Sequence, residues 1–212
     1  MDNVSVIIRC RNEERWMGHS IQSALDFCPD AEIVIVDNGS TDDSMEIVRM
    51  FDKWHNIKKC YLNDYSPGMA LNLGVKKSQG NNIMILSSHC VIKKMSLSVF
   101  DKLEDYVAVF GNQIPVYRGR RINKRYIWSH FSKTETENMF SEIENRQFLH
   151  NAFCLYNRDF LLEHPFDESL FGKEDRYWAI DIVNKGFKYL YDPDLECEHH
   201  WTANGATWKG IG

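Results

Sequence analysis

The chain has 212 residues, of which 43% are hydrophobic, so it is long enough to bury a full core as a single domain. Its formal net charge of -5 and its pI of about 5.9 argue against a nucleic-acid partner, which would favour a basic surface. No apolar run reaches the roughly eighteen residues of a membrane-spanning helix, and the first residues lack the pattern of a secretory signal, so we expect a cytoplasmic protein.

The first elements predicted along the chain are two buried strands joined by a helix. The apolar run at 4–8 is followed by polar residues at 9–13, and a second apolar run at 32–36 is followed by Asp-Asn-Gly at 37–39. Between them, the segment 18–27 has apolar residues at helical spacing, which predicts the crossover helix of a βαβ unit. Because ligands of open α/β sheets bind beyond the carboxyl ends of the strands, these polar residues predict a binding crevice.

The rest of the chain continues this alternation of helix and strand. Further helices are predicted over 42–54, 67–78, 96–106 and 175–187, and further strands over 58–63, 82–90, 107–117 and 188–193. The part at 82–86 is apolar after Asn82, which is typical of a strand in the buried middle of a sheet. We therefore expect an α/β fold with a mostly parallel central sheet flanked by helices, in a single domain.

Four motifs of this chain resemble those of family 2 glycosyltransferases. The first strand of that family typically ends in a variant of Pro-Thr-Tyr-Asn-Glu, and residues 9–13 correspond to it. The second strand typically ends in Val-Asp-Asp/Asn-Gly-Ser-Thr-Asp, which residues 36–42 match almost letter for letter. The segment 66–80 contains the Ala-Leu-Asn-x-Gly core of many members, and 166–179 is similar to the Glu-Asp segment that supplies their catalytic base.

The resemblance implies a GT-A (Rossmann-like) fold and an inverting transferase that moves a sugar from a nucleotide-sugar donor to a hydroxyl of a glycan or lipid-linked acceptor. Residues 1–109 would form the nucleotide-sugar-binding half and 110–212 the acceptor-binding and catalytic half of one domain. The usual setting of such proteins is bacterial surface-polysaccharide synthesis, in the cytoplasm or peripherally at the inner face of the membrane. Two alternatives stay open, a non-catalytic nucleotide-sugar or glycan-binding module derived from a transferase, and a nucleotidyltransferase.

The polar residues after the strands are the candidates for nucleotide binding. The carboxylate of Asp37 can accept hydrogen bonds from a base or a ribose, although it can equally form a turn, and Gly39 allows close approach of the backbone. By the resemblance, Asp37 would contact the base and Glu13 would help to order the ribose. Arg11 could stack on the base or meet the diphosphate, and Arg9 replaces the usual proline, although either could simply be solvated. The nucleotide-binding candidates are Arg9, Arg11, Asn12, Glu13, Asp37, Asn38, Gly39 and Ser88.

The end of the third strand departs from the family. Relatives carry two or three aspartates there that hold Mn²⁺ or Mg²⁺ against the diphosphate, because hard cations prefer carboxylate oxygens. In this chain Ser87, Ser88 and His89 fill those positions. Three interpretations stay open: His89 binds a divalent ion together with His199 or His200, it donates to the diphosphate without a metal, or it is an inert, semi-buried histidine. A divalent metal cofactor is therefore doubtful.

Glu174 and Asp175 are the candidates for catalysis, because they immediately precede a strongly predicted helix. Acidic residues at this place also cap a helix and interact favourably with its dipole, so a purely structural role is an alternative. The resemblance implies that Asp175 is the general base that deprotonates the acceptor hydroxyl and that Glu174 supports it by contacting the acceptor.

Candidates for acceptor binding come from the second half of the chain. Trp201 could provide an aromatic platform for a sugar ring, although a tryptophan near a chain end can also dock the tail onto the body. The basic run 118–125, with Arg120 and Arg121, could bind an anionic lipid-linked acceptor or touch a membrane surface, although most such runs are solvated loops.

Overall fold

The computed structural model describes residues 3–122 and 126–208, so residues 123–125 of the basic run and the last residues of the C-terminal tail lie outside the described part. The strands are β1 (Val4–Cys10), β2 (Glu32–Asp37), β3 (Ile57–Tyr61), β4 (Asn82–Leu86), β5 (Cys90–Lys94), β6 (Ala108–Tyr117), β7 (Arg120–Arg121), β8 (Thr136–Glu137), β9 (Phe140–Ser141), β10 (Arg146–Gln147), β11 (Phe153–Asn157) and β12 (Tyr189–His200). The α-helices are α1 (Glu14–Phe27), α2 (Ser44–Asp52), α3 (Pro67–Lys77), α4 (Arg158–Glu163) and α5 (Glu174–Asn184). Three 3-10 helices cover Leu97–Glu104, Tyr126–His130 and Ala206–Trp208.

One sheet of ten strands forms the centre of the described residues, and its main path runs β3-β2-β1-β4-β11-β6-β12-β5. The strands β1 to β4 run parallel to one another, and β12 runs parallel to β6. β11 is antiparallel to both β4 and β6, and β5 is antiparallel to β12. Six strands of the path therefore share one direction, which confirms the α/β fold with a mostly parallel sheet.

Helices cover both faces of this sheet, because the central strands are apolar on both faces. On one face, Ile8 and Ile35 pack in a cluster that includes Met17 of α1 and Val48 of α2. The opposite face belongs to a second cluster, to which α3, α4 and α5 all contribute buried residues. A strand buried on both faces reads as a continuous apolar run, which is why β1, β2 and β4 could be recognised from the sequence.

The last strand differs from the prediction, which ended it at residue 193. β12 continues to His200, with a register shift between Asp192 and Glu196. Proline cannot donate to a strand ladder, so Pro193 suggested a strand end, whereas the irregularity in β12 accommodates it. Beyond this irregularity the strand lies between β6 and β5, and His199 pairs with Cys90.

Two other predicted elements also differ in detail. The strand predicted over 82–90 is divided, since β4 ends at Leu86 and β5 begins at Cys90. The helix predicted over 96–106 is a 3-10 helix, Leu97–Glu104. None of the helices in the described part of the chain combines the length and the apolar character needed to cross a membrane. The predicted boundary at residue 109 falls inside β6, so both halves share the sheet, and their assignment to donor and acceptor stays a prediction.

Candidate active site

A cleft of about 790 Å³ lies where β1 and β4 end and where α5 begins. Ten of the residues predicted for the site line it, namely Arg9, Arg11, Asn12, Glu13, Asn38, Ser88, His89, Glu174, Asp175 and His199. Six others lie outside its lining, namely Asp37, Gly39, Arg120, Arg121, His200 and Trp201. The fold therefore brings the strand ends of the first half and the acidic pair of the second half together in one cavity.

Asp37 lies at the end of β2 beside the cleft, and its carboxylate is bound within its own turn. It accepts hydrogen bonds from the backbone N–H of Gly39 at 3.1 Å and from the hydroxyl of Ser40 at 2.5 Å. The residue is only 3% exposed, and Gly39 has a φ of +69°, which the turn requires. The turn-forming interpretation of Asp37 and Gly39 thus describes the structure, whereas contact with a base stays a prediction.

The loop after β1 is held by polar contacts with the loop after β2. The side-chain oxygen of Asn12 accepts a hydrogen bond from the backbone N–H of Thr41 at 2.7 Å, and Ser40 Oγ accepts one from the Asn12 N–H at 3.0 Å. Asn12 itself has a φ of 55°, a left-handed conformation that asparagine tolerates better than most residues. These contacts keep Arg11 and Asn38 at the same side of the cleft.

A chain of four polar side chains runs behind the end of β4. Nδ1 of His89 lies 3.4 Å from Glu13 Oε1, and its Nε2 lies 3.1 Å from Nε2 of His199. Nδ1 of His199 lies 2.9 Å from Gln113 Oε1. Burial, together with the neighbouring imidazole of His89, lowers the pKa of His199 well below its usual value. When His199 is neutral and donates from Nδ1 to Gln113, its Nε2 carries a lone pair. The hydrogen between the two rings is then on Nε2 of His89.

This arrangement does not fit the divalent ion that the family resemblance implies at this position. Among the described residues, no group of three His, Cys, Asp or Glu side chains is placed to hold a metal ion. The end of β4 offers hydroxyls and an imidazole instead of carboxylates, and Nε2 of His89 faces another ring. His200 points elsewhere, since its ring stacks on Trp16 at 4.0 Å and its Nε2 lies 3.5 Å from Glu198. Mn²⁺ and Mg²⁺ prefer oxygen ligands, so the residues at the end of β4 do not suit either ion.

The acidic pair lies at the first turn of α5, after Lys173 in a left-handed conformation with a φ of 60°. Asp175 Oδ2 accepts hydrogen bonds from the Asn151 N–H at 3.0 Å and from Arg176 Nη1 at 2.8 Å, and its Oδ1 accepts one from the Arg176 N–H at 2.9 Å. Glu174 Oε1 accepts a hydrogen bond from Arg9 Nη1 at 3.3 Å. Burial raises the pKa of Glu174, and the charge of Arg9 opposes that shift.

A group of polar residues on the α5 side of the cleft was not predicted from the sequence. The side chain of Glu144, in the turn between β9 and β10, is 6% exposed, and His150 and Asn151 just before β11 are buried. Burial, followed by the charge of Arg176, lowers the pKa of His150 well below its usual value. The adjacent polar pair His150–Asn151 inside an otherwise apolar run, 148–155, was the available signal, while Glu144 had none.

The segment after β12 packs across the loop after β1 at one side of the cleft. The hydroxyl of Thr202 donates to Glu13 Oε1 at 3.2 Å, and Nδ2 of Asn204 donates to the carbonyls of Arg11 and Asn12, each at 3.1 Å. Trp208 is 2% exposed, with its ring 4.8 Å from that of Trp128. The tail is therefore part of the core and of the site.

The predicted acceptor residues lie away from the cleft. The ring of Trp201 packs edge-on against Tyr117, with 5.7 Å between ring centres, and its carbonyl accepts a hydrogen bond from Trp16. Arg120 and Arg121 form the exposed strand β7, which extends the sheet at β6. Trp201 thus docks the tail, and contact of any of the three with an acceptor stays a prediction.

Comparison with known proteins adds independent information. The model of the family described as Glycosyl transferase family 2 matches residues 5–164. The chain is 26% identical over 209 residues to a poly-beta-1,6-N-acetyl-D-glucosamine synthase of Staphylococcus epidermidis, which covers 93% of this chain and 48% of that protein. It is also 26% identical over 199 residues to a GalNAc(5)-diNAcBac-PP-undecaprenol beta-1,3-glucosyltransferase of Campylobacter jejuni, covering 88% of this chain and 62% of that protein. The chain thus spans about half the length of the first relative.

A solved structure shows the same fold. The crystal structure of S. aureus TarS 1-349 in complex with UDP-GlcNAc has a TM-score of 0.73 with this chain at 21% sequence identity. The match covers 99% of this chain and 62% of that one. The shared fold therefore includes both sides of the cleft.

Proposed function

This chain belongs to glycosyl transferase family 2 and has the GT-A fold, and from that premise we propose that it is an inverting glycosyltransferase. It would move a sugar from a nucleotide-sugar donor to a hydroxyl of a glycan or lipid-linked acceptor. One observation carries this proposal: Glu174 and Asp175 line the same cleft as the ends of β1 and β4, although 165 positions separate Glu174 from Arg9, its hydrogen-bond partner.

In this proposal the donor lies along the strand ends of the first half. Arg11, Asn12, Glu13 and Asn38 line that side of the cleft and offer charge, amide groups and a carboxylate to a base and a ribose. Asp37 would support them by holding the turn that positions Asn38. The diphosphate would lie toward Ser88 and His89.

The chemistry proposed for Asp175 is general-base catalysis. Asp175 takes the proton of the acceptor hydroxyl while the acceptor oxygen bonds to the anomeric carbon, and the bond from that carbon to the diphosphate oxygen breaks on the opposite face. The nucleoside diphosphate leaves with the electron pair of the broken bond. The donors to Asp175 from Asn151 and Arg176 fix its orientation, and Arg9 lies near enough to Glu174 to balance the charge on this side of the cleft.

The test uses a panel of UDP-, GDP-, TDP- and CMP-sugars and measures release of the free nucleotide. We expect turnover with at least one donor, and we expect Asp175→Asn to lower it by about 10²-fold or more while nucleotide binding persists, since general-base catalysis contributes that much. Binding of nucleotide sugars without turnover across the whole panel, with Mn²⁺ also present, would instead support the non-catalytic module.

We also propose that the nucleoside diphosphate is bound without a divalent ion. The donor set at the end of β4 lacks carboxylates. Arg11 lines the same cleft and can balance part of the charge of the diphosphate, while Arg9 is paired with Glu174. We expect EDTA to change turnover by less than about twofold. Removal of an ion that stabilises the leaving group would lower turnover by more than that. A loss of turnover that Mn²⁺ restores would refute this part of the proposal.

The biological setting proposed is bacterial surface-polysaccharide synthesis. The names of the two relatives describe a synthase of poly-beta-1,6-N-acetyl-D-glucosamine and a glucosyltransferase that acts on an undecaprenol-linked glycan. Both support a glycan or lipid-linked acceptor. The exposed Arg120 and Arg121 are free of the cleft lining and could meet an anionic acceptor or a membrane surface.

A further inference from the structure

Four arginines at one edge of the sheet have no ion-pair partner among the described residues: Arg15, Arg118, Arg120 and Arg121, together the arginine patch. All four are exposed, and none lines the cleft. Exposed lysines elsewhere, such as Lys94, Lys185 and Lys188, instead pair with carboxylates of the protein itself. In a chain with a formal net charge of -5, the arginine patch is therefore a local positive surface.

A group of aromatic rings joins the two parts of the arginine patch. The Arg15 guanidinium lies 5.1 Å from the centre of the Trp16 ring, and the Arg118 guanidinium lies 5.2 Å from that of Tyr117. Trp201 connects the two, since its carbonyl accepts a hydrogen bond from Trp16 Nε1 at 3.1 Å and its ring packs edge-on against Tyr117. These contacts hold the first turn of α1 and the turn between β6 and β7 in one surface, although the two are far apart in the chain.

The acidic side chains on the neighbouring parts of α1 and β12 are engaged with other partners. Glu14 Oε2 accepts a hydrogen bond from the Asp43 N–H at 3.0 Å. Glu198 Oε2 lies 3.8 Å from Lys93 Nζ and 3.5 Å from His200 Nε2. Positive charge therefore stays in excess on this surface.

The arginine patch and the cleft lie at the same edge of the sheet. β1, β4, β6 and β12 all run in one direction, because β11 is antiparallel to both β4 and β6. α1 follows the carboxyl end of β1, and the turn with Arg118 follows that of β6. The cleft lies beyond the carboxyl ends of β1 and β4. A surface that contacts the arginine patch is therefore also close to the cleft.

The make-up of this surface suits a lipid bilayer with anionic headgroups. Each lysine or arginine near such headgroups strengthens binding by about fivefold. Tryptophan and tyrosine are enriched at membrane interfaces, because their rings are apolar while one edge can hydrogen-bond, and the half-buried Trp16, Tyr117 and Trp201 lie among the arginines. The arginines come from two elements and lie outside the cleft, so a broad surface contacts them together better than a small ligand would.

We propose that the arginine patch docks the protein on a bilayer with anionic headgroups, with the cleft on the membrane side. The docking itself does not depend on the proposed reaction. Its consequence rests on the proposed function: a lipid-linked acceptor in that bilayer presents its sugar close to the cleft.

The test measures co-sedimentation of the protein with two kinds of vesicle, phosphatidylcholine alone and phosphatidylcholine mixed with phosphatidylglycerol. We expect binding to the mixed vesicles only, and we expect added salt to weaken it, because salt screens charges at an exposed surface. The variant Arg118→Gln/Arg120→Gln/Arg121→Gln should weaken this binding by about tenfold or more, and Arg15→Gln alone by about fivefold.

The matched control is Lys53→Gln/Lys76→Gln/Lys77→Gln, which changes the net charge by the same amount. These lysines are exposed and lie at the opposite edge of the sheet, since Lys53 comes just before β3 and the other two end α3 before β4 begins. We expect the control to change vesicle binding by less than about twofold. All the substituted side chains are exposed, so every variant should keep the wild-type midpoint of urea denaturation.

The docking proposal is refuted if the wild type does not bind the mixed vesicles, if it binds both kinds equally, or if the arginine and lysine variants behave alike. Inorganic polyphosphate serves as a soluble anionic polymer in a separate assay. If it binds through the arginine patch while vesicles do not, the patch recognises an anionic polymer and the membrane proposal is wrong. No nucleotide sugar is present in these assays, so their outcome and that of the turnover test are independent.

Discussion

Glu174 and Asp175 are neighbours in the chain, yet their carboxylates meet different surroundings. Both oxygens of Asp175 accept hydrogen bonds from the backbone or from Arg176, whereas Glu174 has Arg9 as its ion-pair partner at 3.3 Å. Burial is the largest influence on Glu174 and raises its pKa. A charged Glu174 is therefore held in the cleft at a cost to stability, which is common for residues that serve a function.

This cost predicts how stability depends on pH in the variant Glu174→Gln. An unfolded glutamate titrates near a pKa of about 4.3, and the folded one titrates higher, so the wild type loses stability as pH rises through the folded pKa. Glutamine does not ionise. We expect the variant to be more stable than the wild type at neutral pH and the difference to disappear below about pH 4.

Urea denaturation at a series of pH values measures this difference. Glu163→Gln is the control, because Glu163 is exposed on α4 and should show no comparable trend. Equal stability of Glu174→Gln and the wild type at neutral pH would show that the Arg9 ion pair fully compensates the burial.

At the scale of elements, β12 and the segment after it connect the two sides of the cleft. The irregularity after Asp192 lets β12 continue between β6 and β5, which brings His199 to His89. The segment then turns back over the loop after β1, where Asn204 donates to two carbonyls. Trp208 closes this path by packing against His199, with 5.7 Å between the ring centres.

The buried position of Trp208 predicts a large effect of Trp208→Ala. Removing a buried tryptophan side chain costs about 3–5 kcal/mol, and the loss here should also loosen the segment that holds the loop after β1. We expect a lower midpoint of urea denaturation together with weaker nucleotide binding, measured by calorimetry.

Trp54→Ala is the matched control for this prediction, since Trp54 is 84% exposed. It should change the free energy of unfolding by no more than about 0.5 kcal/mol and leave nucleotide binding intact. Equal effects of the two substitutions would contradict the packing that we describe for the tail.

At the scale of the whole molecule, a single sheet unites the parts of the site. β11 of the second half of the chain pairs with β4 of the first half, and β5 of the first half pairs with β12 of the second, so both halves share one sheet. The carboxyl ends of β1 and β4 and the beginning of β11 meet at one edge, because β11 runs antiparallel to its neighbours. The two sides of the cleft are thus joined by the core itself.

Much of the fold and of the cleft lining from the first half of the chain could be predicted from local patterns. Continuous apolar runs followed by polar turns identified β1 and β2, and residues 9–13 and 36–42 carried the family motifs. The Glu174-Asp175 pair was identifiable in the same way, because it stands directly before a helix with a clear start. A local sequence pattern is sufficient to identify these residues, since each motif lies next to the strand or helix that it identifies.

What the sequence determined by itself was therefore the class of fold, the family, and the residues at strand and helix ends. Only the tertiary structure decided that His89 faces His199 rather than a free position for a metal, that Trp201 docks the tail, and that Asn151 lies beside Asp175. Each of these facts depends on pairing between strands far apart in the chain, and the register of such pairing is decided by the packing of the whole core.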